Sequence, residues 1–184
     1  MSASRKLLLA LAIVALAQTG VLAAMVIDRT LLLRNGREIV LPIVPVDPRD
    51  LFRGEYVRLG YDISTVPAML LVGPAPVRNA PFYVTLEKHP QGRWTPVKVT
   101  AAMSSETNPD RIVLKARSRL PFPASTRINY GIESYFVPEG QGRRLEALAQ
   151  EKRMAARVAV DSRGNAAIKG LMIDGVQQYE EPLF

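Results

Sequence analysis

Residues 45–63 read PVDPRDLFRGEYVRLGYDI, and the reading of this stretch decides the fold. Pro45 and Pro48 fix the backbone on either side of Asp47, and Asp50, Arg53 and Gly54 continue a polar, turn-prone approach. A strand pattern follows. Val57, Leu59, Tyr61 and Ile63 share one face at period two, while Tyr56, Arg58, Gly60 and Asp62 share the other. The alternation predicts one half-buried strand over residues 55–63. Tyr56 and Tyr61 are five residues apart and point to opposite faces, which assigns Tyr61 to a core and Tyr56 to a surface or interface.

The same stretch is the densest mixture of Asp, Arg, Glu, Tyr and Gly in the chain, so it is also the candidate ligand- or partner-binding site. Its loop residues are Asp47, Arg49, Asp50, Arg53, Gly54 and Glu55. The strand adds Tyr56, Arg58 and Tyr61. Arg53 and Arg58 carry the planar fork that suits a carboxylate or phosphate group. The plainer reading pairs Asp47, Asp50 and Glu55 with those arginines and with turn amides, fixing a loop against a sheet. A mixed-sign cluster of this balance favours structure or partner docking over catalysis.

Gly54-Glu55-Tyr56-Val57-Arg58-Leu59-Gly60-Tyr61, with its lead-in Asp47-Pro48-Arg49 and Leu51-Phe52-Arg53, resembles the signature of the GDYXXLXY proteins. Glu55 stands where that signature has Asp, one methylene longer at the same charge. The resemblance extends to Tyr130-Gly131-Ile132-Glu133 and to Tyr135-Phe136-Val137-Pro138-Glu139-Gly140. It implies a bacterial, membrane-anchored protein whose partner is a polytopic membrane protein encoded nearby. It supplies an address and no reaction.

Length and composition bound the remaining choices. The 184 residues, 48% hydrophobic and 22% charged, fit one folded domain with a short accessory segment. The net charge of +7 suggests attraction to anionic surfaces such as lipid headgroups. No run of basic residues and no recognised motif points to nucleic acid. The absence of cysteine excludes a disulfide framework, a thiol nucleophile and cysteine-ligated metal. His89 is the single histidine, placed in a turn beside Pro90, so neither a zinc site nor a serine–histidine triad is expected. A hard-cation site from Asp47, Asp50 and Glu55 matches no calcium loop, and no lysine is framed with a partner serine. No metal and no cofactor is expected.

Residues 7–27 form the membrane signal. The run LLLALAIVALAQTGVLAAMVI holds 21 residues without a charge, against about 20 needed to cross a bilayer. Arg5 and Lys6 precede it, which keeps residues 1–6 cytoplasmic and places residues 28–184 outside the inner membrane as a periplasmic domain. Val21 and Ala23 also fit a signal-peptide cleavage pattern; span length and the family resemblance favour a retained anchor.

Beyond it the pattern is β. Residues 30–44 read as a hairpin turning at Asn35-Gly36, with Pro42 marking a strand edge or end. Residues 65–80 read as loop with a short apolar turn at 68–72. Strands follow at 82–87, 94–101, 111–117 and 127–137, the third with Val113 on its polar face. Residues 143–154 form the one helix outside the membrane, with Leu145, Leu148 and Lys152 or Met154 on one side. Two glycines before it offer a weak anion site, better explained by the turn itself. A hairpin of 156–160 and 166–173 closes the domain. The expected fold is mainly β, an antiparallel barrel- or sandwich-like domain with one short helix, preceded by a single N-terminal transmembrane helix.

The expected function is that of an accessory protein rather than an enzyme, docked to a polytopic membrane partner. The alternative is an envelope enzyme or carrier that binds an anionic lipid or glycan through Arg53, Arg58 and the nearby carboxylates.

Overall fold

The computed structural model describes residues 3–45, 56–77, 79–118, 127–137 and 141–180. Helix α1 (Ala3–Asn35) runs unbroken for 33 residues, and its segment Leu9–Asn35 is long and apolar enough to cross a bilayer. The expected hairpin at residues 30–44 is not formed. Leu31, Leu32 and Leu33 are good helix formers that extend α1, and Leu32 and Leu33 are buried there against Ala159 and Ala167. Asn35-Gly36 ends the helix instead of turning a hairpin, with the Gly36 N–H donating to Leu32 O at 2.9 Å. A Cβ on Gly36 would stand 2.5 Å from that same oxygen, so the junction requires glycine.

Strand β1 (Arg37–Val44) leaves this junction directly. The expected single strand over residues 55–63 is two short strands, β2 (Tyr56–Arg58) and β3 (Gly60–Tyr61), followed by a 3-10 turn at Asp62–Ser64. The face assignment holds: Val57, Leu59, Tyr61 and Ile63 are all buried, while Arg58 and Asp62 are exposed. The strand divides because its hydrogen-bonding partner changes at Leu59.

β4 (Phe82–Lys88), β5 (Trp94–Thr100) and β6 (Arg111–Ala116) form a three-stranded antiparallel sheet in the order β5-β4-β6. Val113, expected on its solvent face, is buried because the turn at residues 161–164 lies against β6, where Gly164 O accepts the Lys115 N–H at 2.8 Å. Residues 127–137 are not one strand. Gly131 at φ +84° breaks them, leaving isolated bridges at Arg127 and Asn129 and the short β7 (Ser134–Phe136), which pairs with β2.

Helix α2 (Gly142–Gln150) is shorter than expected and buries Leu145 and Ala149. Lys152 does not share that face. It turns the chain at φ +57°, and Met154 is the first, buried residue of β8 (Met154–Val160). β9 (Ala166–Ile173) forms the expected hairpin with β8, and β10 (Val176–Glu180) adds a strand that the reading above did not contain. Its signal is Asp174-Gly175, both at positive φ, the two-residue turn that joins antiparallel strands.

The largest sheet has the order β10-β9-β8-β1-β3. Pro42 does not end β1; it precedes the short pairing of Ile43 and Val44 with β3, at a point where β1 is paired on one side only among the described residues. Ile39, Leu41 and Val158 of this sheet share one core with Phe82, Leu86 and Leu114 of the three-stranded sheet. Among the described residues the sheets stay open, so the sandwich-like alternative fits and the barrel does not. Val158, Ala159 and Val160 are buried in succession because the end of α1 covers the second face of β8.

Candidate functional site: the recess beneath the motif

Two segments far apart in sequence meet at the motif. The Leu59 N–H donates to Glu133 O at 2.9 Å, and the Ile128 N–H donates to Ser64 O at 2.9 Å. Between these, Tyr61 Oη donates to Ile132 O at 2.8 Å and Tyr130 Oη donates to Ile63 O at 2.7 Å. Each tyrosine therefore fastens its own segment to the backbone of the other. Both rings are buried, so each hydroxyl satisfies a carbonyl that water cannot reach. Burial pushes both phenols well above their ordinary pKa and the Glu133 charge adds to the effect, so the hydroxyls stay neutral donors.

Glu133 secures the turn between the two segments. One of its carboxylate oxygens accepts the Tyr130 N–H at 2.5 Å and the other accepts the Gly131 N–H at 2.9 Å. Gly131 is needed here because its φ of +84° lies in the left-handed region. The Tyr-Gly-Ile-Glu sequence is the signal of this clamp; sequence reasoning quoted it for family likeness and did not place it at the site.

A recess of about 460 Å³ opens beside the clamp. Arg58, Gly60 and Asp62 line it from the motif side, Arg127, Asn129 and Glu133 from the returning segment, with the end of β1 behind. Both charge signs are present. Ser64, also in the wall, has a covered hydroxyl oxygen with no hydrogen-bond partner. The two guanidinium groups suit an oxyanion or an acidic side chain of a partner, and Asp62 and Glu133 balance them.

Of the sequence-predicted site residues, Arg58 is exposed at the recess and Tyr61 sits in its floor as part of the core. Tyr61 offers its hydroxyl to Ile132 O, which makes it a fastener of the site. Tyr56 begins β2 opposite Phe136. Asp47, Arg49, Asp50, Arg53, Gly54 and Glu55 lie outside the described residues, as do the charge pairings and the cation site considered for them. Arg127 and Asn129 were missed because only long-range bridges, to Thr65 and Arg117, bring them here.

His89 is exposed in the turn between β4 and β5, where its Nε2 shares a 2.8 Å hydrogen bond with Thr95 Oγ1. Among the described residues no group of three or more His, Asp or Glu side chains stands close enough to hold a metal ion.

An exposed apolar helix continuous with an antiparallel β domain, and a mixed-charge recess clamped by two tyrosines, define a helix-tethered β domain. The chain belongs to the GDYXXLXY family, whose model matches residues 18–171 and so includes the later half of α1 together with both clamped segments. No curated protein matches the chain. No solved structure matches it either.

Proposed function

We propose that this is a membrane-anchored accessory protein, with residues 7–27 as the retained span, residues 1–6 in the cytoplasm and residues 28–184 outside the inner membrane. Its β domain docks a polytopic membrane partner through the motif segment and the recess lined by Arg58 and Arg127, and it performs no catalysis of its own. The observation that carries this reading is the continuity of α1: an exposed apolar helix enters the domain without a linker and is buried there at Leu32 and Leu33. Arg5 and Lys6 ahead of the span support the orientation. A domain held this close to the bilayer meets other membrane proteins first.

A second reading is favoured by Arg58 and Arg127 at one recess: the domain binds an anionic lipid or glycan there, as an enzyme or carrier of the envelope. Purification of the full-length chain from its membranes in mild detergent, followed by mass spectrometry, separates the two. One stoichiometric polytopic protein, lost on Arg53→Ala or Arg58→Ala in a folded variant, supports docking. A partnerless protein that carries lipid or glycan, released by the same changes, sinks docking and favours the second reading.

A further inference from the structure

A second, larger recess of about 710 Å³ lies where α1 enters the domain, far in sequence from the motif. Asp28, Leu31 and Asn35 of α1 form one wall, Ser104 and Glu106 another, and the β8–β9 turn at Arg163 a third. Its height relative to the bilayer follows from helix geometry. The charge-free run of 21 residues ends at Ile27 and is about 30 Å long, the thickness of the hydrocarbon layer. Asp28 thus marks the hydrocarbon edge, and residues 28–36 climb about 12 Å from it, through the headgroup layer. Arg163 Nη2 donates to Asp28 Oδ1 at 2.5 Å, which brings the β8–β9 turn down to the same level.

The lining has the chemistry of that layer. Arg37, Arg111 and Arg163 stand with Asp28, Glu106 and Asp161, equal in number and opposite in sign. Leu31, 51% exposed, and Met103, 41% exposed, give the recess an apolar edge. A covered Ser104 hydroxyl without a partner lies in the wall. Three carboxylates beside three guanidinium groups offer partners to both ends of a ligand carrying both signs. A primary ammonium has three N–H donors for the carboxylates, whereas a quaternary ammonium has none and requires an aromatic cage. Trp94 does not supply one, being buried beneath the Arg37 guanidinium, 5.5 Å from its ring centroid.

The geometry points to this recess as a binding site for one phospholipid with a phosphoethanolamine headgroup. The phosphate meets the arginine side, the ammonium meets Glu106 and Asp28, and Leu31 and Met103 face the glycerol and first methylenes. The assignment rests on α1 being a retained span. A domain seated this way keeps a fixed tilt to the bilayer, because the lipid fills the gap between helix and sheet.

The test is native mass spectrometry of the full-length protein released from nanodiscs containing equal parts phosphatidylethanolamine, phosphatidylcholine and phosphatidylglycerol. One phosphatidylethanolamine retained per chain, enriched at least tenfold over the other two, is the expected result. Glu106→Gln lowers the enrichment several-fold, and Ser105→Trp at the exposed mouth removes it. Gln177→Ala, on β10 and away from the β8–β9 turn, leaves it unchanged. Equal retention of the three lipids, or enrichment that survives Ser105→Trp, overturns the proposal while the anchor stands. Extraction of the protein from vesicles by alkaline carbonate overturns the anchor and the lipid site together, and so separates the two failures.

Discussion

The domain is joined to its helix and to its motif by seams of opposite chemistry. At the base of α1 the contact is apolar: Leu32 and Leu33 lie on Ala159 and Ala167, with the exposed ion pair Asp28–Arg163 outside it. At the motif the contact is polar and buried: two tyrosine hydroxyls and two backbone amides cross between residues 59–65 and 128–133. Apolar packing sets distance and is indifferent to small rotations, whereas paired hydrogen bonds set register. The helix seam fixes how close the domain sits to its anchor. The tyrosine seam fixes the shape of a recess.

The sharpest way to break the comparison is to truncate each seam. Leu33→Ala removes most of a buried side chain from a four-residue cluster and is expected to cost about 2–3 kcal/mol. Its effect belongs to the helix seam, so a spin label on α1 near the domain gains mobility while one beside the recess does not. Tyr130→Phe comes next. It leaves Ile63 O buried without a donor and is expected to cost about 1–3 kcal/mol, read from urea unfolding of the full chain. Tyr61→Phe strands Ile132 O in the same way, and the two changes together fall short of their sum because they share one seam. A cost below about 0.5 kcal/mol for both would show that ring packing, not the hydroxyls, holds the motif.

A smaller change runs the other way. Thr85 is buried in the three-stranded sheet and its hydroxyl has no partner, so the structure gains nothing from that oxygen. Thr85→Val keeps the shape, removes the stranded polar atom and is expected to stabilise the domain by about 1 kcal/mol. This sharpens the contrast with Tyr61 and Tyr130, where the same kind of group is fully used. A loss of stability on Thr85→Val would sink the contrast.

What was legible in the sequence follows the range of the forces involved. The alternation of Val57, Leu59, Tyr61 and Ile63 was readable because burial on one face is a local, period-two signal. The β8–β9 hairpin and the apolar length of α1 were readable for similar reasons. Asn35-Gly36 was misread because the same dipeptide serves a tight hairpin and a helix end, and only the burial of Leu32 and Leu33 decides between them. The split at Leu59 and the arrival of Arg127 depend on partners about 70 residues away, which no local pattern encodes. Asp174-Gly175 was plain in the sequence and was passed over.

The smallest expected effect tests whether the helix seam has an electrostatic guard. Asp161 holds the β8–β9 turn: its carboxylate accepts the Arg163 and Asn165 backbone N–H groups, each at 2.8 Å, and the Asn165 and Arg163 side chains. Partial burial pushes its pKa up, but the four hydrogen bonds together outweigh burial and the net shift is downward. A depressed folded value means that the ionised carboxylate stabilises the turn. The contribution is complete above the unfolded value of about 3.9 and is lost as pH falls through the folded one. Acid should therefore release the turn, and with it the Arg163 contact to Asp28, while the two tyrosine hydroxyls stay neutral donors throughout this range. Amide chemical shifts of Arg163 and Asn165 should titrate together below about pH 4. Asp161→Asn should abolish the titration. If the two amides moved separately or not at all, the Asp161 carboxylate would not hold the turn, and the helix seam would have no electrostatic guard.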